Sequence, residues 1–168
     1  VSLVDFTDSM NPVEIAFFDR GPIDEEELIT GGYWSTYWYN GHIYGTEISR
    51  GLDVFALQSS DYLTENEIAA ASLPALNGIV NAQTQQIVKW PAVPVVARAY
   101  MDQLQRENRL TTSQAGELSD ALERAEALLG GGDGNRRSTV RALNTLADDF
   151  SEAAGNFTGI SGVRYASL

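Results

Sequence analysis

Residues 33–57 constrain this chain more than any other stretch. The run Tyr33-Trp34-Ser35-Thr36-Tyr37-Trp38-Tyr39 is dominated by aromatic side chains, which suit a pleated backbone because they pack against neighbours across the strand. Asn40-Gly41 follows. That pair is favoured at the centre of a type I′ turn, where both positions need φ > 0. His42-Ile43-Tyr44-Gly45-Thr46-Glu47-Ile48 makes a return strand, Arg50-Gly51 turns the chain again, and Leu52-Asp53-Val54-Phe55-Ala56-Leu57 supplies a third strand. The segment is predicted as a three-stranded antiparallel meander.

The opening residues resemble the third strand of that meander. Val1, Leu3, Val4 and Phe6 fall opposite Leu52, Val54, Phe55 and Leu57, and a Glu-Ile pair follows each copy, Glu14-Ile15 and Glu67-Ile68. A spacing of about 50 residues is close to the period of propeller blades. Between the copies, Asp5 to Pro12 holds Asp, Ser, Asn and Pro, which predicts a tight turn. Val13 to Phe18 reads as a strand, and the acidic run Asp24-Glu25-Glu26-Glu27 as an exposed loop ending at Gly31-Gly32. Because the sequence starts inside a strand-like run, a truncated or processed chain is expected.

Leu3-Val4-Asp5-Phe6-Thr7-Asp8 followed by Asn11-Pro12-Val13-Glu14-Ile15 resembles the repeat of LVIVD-repeat proteins: an apolar strand ending in Asp, an Asp-x-x-Asn-Pro turn, and another apolar strand. The resemblance covers residues 1 to about 60. It implies a secreted or cell-surface bacterial or archaeal protein built as a β-propeller, of which this chain would be the C-terminal portion. The second copy departs from the pattern. Ala56 stands where the strand-ending Asp belongs, and Ser60-Asp61-Tyr62-Leu63 replaces the proline turn, as would suit a final blade.

Further along, Thr64-Glu65-Asn66-Glu67 fits a capping box and predicts a short helix. Gln83 to Trp90 is expected to be a last strand or an extended linker, ended by Pro91 and Pro94. Beyond Pro94 the apolar period becomes helical. Val96, Ala97, Tyr100, Met101 and Leu104 form one face. Leu118, Ala121, Leu122, Ala125, Leu128 and Leu129 form a second, behind the capping box Thr111-Thr112-Ser113-Gln114. Val140, Leu143, Ala147 and Phe150 form a third. Gly130 to Asn135 reads as a flexible break, without the Lys-Ser/Thr of a phosphate loop. The expected class is α+β: an antiparallel β-meander, the last one to two blades of a partial propeller, in residues 1–80; a linker or last strand in 81–91; a small three-helix bundle in 92–154; and a flexible tail in 155–168.

Charge and composition narrow the partners. The 168 residues carry a net charge of −12, which argues against nucleic acid and against anionic lipid. Residues 1–80 hold thirteen acidic and two basic side chains, whereas residues 81–168 hold ten and nine. That break supports two modules. There is no cysteine, so disulfides, thiolate metal sites and cysteine nucleophiles are excluded. No apolar run is long enough for a transmembrane helix.

Few residues point to chemistry. His42, the single histidine, would have to serve any serine triad, with Ser35 or Ser49 and Asp53 as partners. Its place just after Asn40-Gly41 reads more simply as a hairpin position. Glu47 and Asp53, on adjacent predicted strands, are a carboxylate pair of the kind glycoside hydrolysis uses. Asp5, Asp8 and Asn11 offer hard oxygen ligands on one turn, a candidate calcium site. Trp34, Trp38 and Tyr37 are candidates for stacking on a ligand ring, with alternation placing both tryptophans on one face. Asn156-Phe157-Thr158 matches a glycosylation sequon. With no catalytic motif and no cofactor signature, the expected function is non-catalytic. It is binding of a protein or carbohydrate ligand, or scaffolding, at the cell exterior, together with other propeller blades. The rival expectation is an extracellular hydrolase with an acidic site at the propeller mouth, for which Glu47, Asp53 and His42 would have to cluster. A third is that the helical module docks a partner.

Overall fold

The structure, a computed structural model, describes residues 1–74, 88–132 and 134–168. Among them are two small antiparallel sheets and five helices, an α+β protein. The chain divides into two compact units, Val1–Ile87 and Val88–Leu168.

In the first unit β1 (Ser2–Asp5) pairs with β2 (Val13–Phe17), and β3 (Tyr33–Tyr39), β4 (His42–Glu47) and β5 (Gly51–Phe55) form the meander. Asn40 and Gly41 take φ of 49° and 80°, the left-handed pair a type I′ turn requires. Phe18, just beyond β2, packs its ring on Phe55 at 4.8 Å and on Tyr33 at 6.3 Å, bringing the hairpin against the meander. Helix α1 (Glu65–Ala71) starts at the expected capping box: Thr64 accepts from the Glu67 amide and Glu67 from the Thr64 amide. This start corrects the repeat alignment. Glu14-Ile15 lies in a strand and Glu67-Ile68 in a helix, because the cap at Thr64 commits the second copy to a helical backbone.

The second unit holds α2 (Pro94–Arg106), α3 (Thr112–Leu129), α4 (Arg136–Ala154) and α5 (Ile160–Ala166). Pro94 opens α2, where a missing N–H costs nothing. Thr111 and Gln114 form the capping box of α3. Met101, Leu104, Leu118, Leu122, Phe150 and Tyr165 make the core. Four expectations are corrected here. The tail after Gly155 is not frayed: α5 buries Tyr165, which stacks on Phe157 at 4.7 Å and donates its hydroxyl to the Arg109 carbonyl. The ion pair of Arg164 with Glu107 ties α5 to the end of α2, so four helices pack here instead of three. The buried face of α4 runs through Thr139, Leu143, Leu146 and Phe150, leaving Val140 and Ala147 exposed. Thr139 goes inside because its hydroxyl bonds the Asn135 carbonyl at 3.2 Å. Finally, the glycine break begins as a defined helix stop. Gly131 adopts φ 83° while Gly132 N–H donates to Ala127 and Gly131 N–H to Leu128, the two bonds of a Schellman cap.

The expected strand or linker from Gln83 falls outside the described residues as far as residue 87. Residues 88–90 have no regular structure.

Candidate functional site

The meander places its chemistry on two faces. Directly opposed residues of an antiparallel ladder share a face. The pairs Tyr33↔Glu47, Thr36↔Gly45 and Trp38↔Ile43, continued by Gly45↔Asp53 and Ile43↔Phe55, define the first. The pairs Tyr37↔Tyr44, Tyr39↔His42, Ser35↔Thr46 and Tyr44↔Val54 define the second.

On the first face the carboxylates are already occupied. Glu47 is 7% exposed. Its Oε1 accepts from the Gly32 amide at 2.6 Å, and its Oε2 from the Ser49 amide at 2.9 Å and from the Arg50 amide. Burial pushes its pKa up, but the three amides and the Arg50 charge outweigh this and hold it below the usual carboxylate range. Asp53 pairs with Arg20 and accepts the Tyr33 hydroxyl at 2.5 Å. Burial, then the hydrogen bond to Asp53, raises the Tyr33 phenol pKa. Glu47, Arg50, Tyr33, Arg20 and Phe18 line an open cleft of about 850 Å³.

The second face is largely solvent-exposed. Tyr37, Tyr39, Leu52 and Val54 are exposed, and Tyr44 lies 6.4 Å from Tyr39 and 6.5 Å from His42 between ring centroids. His42 places Nδ1 3.2 Å from the Asn40 carbonyl oxygen.

The triad reading is not assembled. Ser35 Oγ lies 3.2 Å from the Thr46 hydroxyl, Ser49 donates to the Thr30 carbonyl at 2.6 Å, and Asp53 sits on the face opposite His42. Glu47 and Asp53 share a face without His42. The stacking trio is also divided. A register shift between Tyr33 and Ser35 makes Trp34 a bulge residue, 81% exposed. Trp34 lines the cleft together with Tyr33 and Glu47, whereas Trp38 is half-buried and donates its indole N–H to the Ala71 carbonyl at 3.3 Å. Tyr37 is on the opposite face from Trp38. The bulge brings Tyr33 onto the face of Trp38, where strict alternation would set the two apart.

The proposed calcium ligands serve their own turn. Asp5 accepts from the Thr7 amide at 2.8 Å. Asp8 accepts from the Met10 amide at 2.9 Å and from the Asn11 side-chain amide at 2.8 Å. The Asn11 bond is the first cause of the lowered Asp8 pKa. Asn11 therefore turns its NH₂, not its oxygen, toward Asp8. Among the described residues no three His, Cys, Asp or Glu side chains gather as a metal cluster. Asn156 of the sequon follows α4, with its backbone N–H donating to the Ala153 carbonyl at 2.9 Å.

Sequence reasoning missed Arg20 and the amides that hold Glu47. The one available signal was scarcity. Arg20 and Arg50 are the only cations in residues 1–80, so each had many carboxylates to choose from, but no local pattern says which. No protein-family model, curated protein or solved structure matches the chain. Among the described residues no helix is long and apolar enough to cross a membrane.

Proposed function

We propose that the chain belongs to a non-catalytic binding or scaffold protein of the LVIVD-repeat type, acting at the cell exterior, with residues 1 to about 60 as propeller-type strands and Val88–Leu168 as an appended helical module. One observation carries the non-catalytic part: the residues best suited to chemistry are engaged or dispersed. Glu47 is anchored by three amides and Asp53 by Arg20 and Tyr33, with His42 on the other face. The propeller part is supported by the second face of the meander. Tyr37, Tyr39, Leu52 and Val54 are the kind of surface that a neighbouring blade covers, since blades pack on both sides.

Two experiments test the two parts. Further copies of the apolar strand–Asp–Asn-Pro pattern in the coding sequence upstream of Val1 are expected, and their absence would sink the propeller. In a panel of ester and glycoside hydrolysis assays the chain should show no turnover. Activity lost in both Glu47→Gln and Asp53→Asn, with folding intact, would establish the hydrolase reading instead. That rival draws on Glu47 lining the 850 Å³ cleft.

A further inference from the structure

The helical unit carries an apolar groove of about 1030 Å³, walled in part by Val93, Leu128, Leu129, Val140 and Leu143. Leu129 is 74% exposed and Val140 is 47% exposed, so the unit's own core leaves these side chains to solvent. The charged side chains lining the groove are both cationic, Lys89 and Arg136. Arg136 is also in an unusual place. It opens α4 next to Arg137, in a first turn with no acidic residue. A helix N-terminus carries partial positive charge, so these arginines work against the helix they begin. Among the described residues no carboxylate pairs with Arg136. An apolar surface edged by unneutralised cations fits an occupant that is apolar and acidic together.

The same chain contains such a segment. Ile23-Asp24-Glu25-Glu26-Glu27-Leu28-Ile29 sets four carboxylates between apolar side chains. Leu28 is fully exposed and Ile29 is partly so. Asp24 accepts from the Glu26 and Glu27 amides, both at 2.8 Å, which gives the loop a defined turn.

We propose that the groove of the helical unit receives the Ile23–Ile29 segment of a second copy of the chain, Leu28 and Ile29 against Leu129 and Val140, with Glu25 to Glu27 facing Lys89 and Arg136. Donor and acceptor surfaces differ, so the contact is heterologous and joins copies head to tail. Its charges lie at an exposed rim, so salt weakens it.

The absence of native cysteine makes the test direct. Leu28→Cys and Leu129→Cys chains are prepared separately, mixed and oxidised. Their mixed disulfide should exceed severalfold that of Leu28→Cys with Val163→Cys, an exposed α5 position outside the groove. Circular dichroism checks that each variant is folded. In sedimentation equilibrium the cysteine-free chain should gain mean mass with concentration at low salt, and lose that gain at high salt or in Arg136→Glu. Mixing Arg136→Glu with a Glu25→Lys, Glu26→Lys chain should restore it. Equal disulfide yields at positions 129 and 163, or a monomer at every concentration, would overturn the proposal.

Discussion

The two units are held together by different kinds of interaction. In Val1–Ile87 the buried side chains among the described residues are Glu47, Glu67 and Ala70, while Phe6, Phe17, Trp34, Leu52 and Val54 face solvent. In Val88–Leu168 the buried side chains include Leu104, Leu118, Leu122, Phe150 and Tyr165. The β unit fixes its loops with directional hydrogen bonds to ionised carboxylates. The helical unit relies on contiguous apolar burial, which is non-directional and insensitive to pH. The first should therefore fail through single bonds and through acid, and the second through loss of packing.

The largest expected effect is in the helical core. Leu122→Asp places an unpaired charge among Met101, Leu104 and Phe150, and should cost on the order of 3–5 kcal/mol. The helical signal at 222 nm should then lose its cooperative melt while the Trp38 indole proton resonance stays in place. If that resonance collapses as well, the two units do not fold independently and the comparison breaks. Next comes Asn40→Pro. Proline cannot adopt the φ of 49° found at Asn40, so the hairpin should lose more than about 1 kcal/mol. Here the Trp38 resonance should shift and the helical melt remain. An unchanged melting temperature for the β unit would contradict the turn.

These two substitutions fall where the sequence was most legible. Asn40-Gly41 specifies its turn by local sterics, and the capping boxes at Thr64 and Thr111 specify helix starts by bonds that span three residues. Such signals lie wholly within a short window. The misreadings arise where a local irregularity overrides the side-chain pattern or where a partner lies far along the chain. The bulge at Trp34 brings Tyr33 onto the face of Trp38, and nothing within Tyr33–Tyr39 announces it. Thr139 is buried through a bond to Asn135, so the inward face of α4 departs from its apolar pattern. Tyr165 is ordered by the Arg109 carbonyl, 56 residues away, in a stretch whose glycines and serines suggest a frayed end. The Arg20–Asp53 pair bridges 33 residues and has no sequence signature. The candidate functional residues were legible as types but not as partners.

Acid should distinguish the units next. The folded pKa of Glu47 lies below its unfolded value, since the three amides outweigh the burial that opposes them. Its contribution is fully present above the unfolded pKa, about 4.3, and is lost as pH falls through the folded value. Between pH 6 and pH 3 the β unit should weaken more steeply than the helical unit, followed through the Trp38 resonance and the 222 nm signal respectively. Glu47→Gln should be less stable at neutral pH and should flatten that acid limb. A variant as acid-sensitive as the parent would move the effect to other carboxylates.

The smallest effect is expected from the most visible ion pair in the helical unit. Arg98 Nε and Nη2 meet Glu126 Oε1 and Oε2 at 2.8 and 2.9 Å, a bidentate geometry between α2 and α3. The Arg98 bond is the first cause of the lowered Glu126 pKa, and the same bond raises that of Arg98. Geometry alone would suggest a strong contact. However, the Glu126 side chain is 43% exposed, so water screens the attraction and competes for the same bonds. Arg98→Ala should therefore cost less than about 1 kcal/mol. The coupling from a double-mutant cycle with Glu126→Gln should shrink further at high salt. What remains is lost as pH falls through the depressed Glu126 pKa, because the carboxylate must be ionised to accept both bonds. If Arg98→Ala instead approached the effect of Leu122→Asp, the helical unit would depend on directed charge as the β unit does. The contrast between them would then lie in where each buries its charges, and not in whether it relies on them.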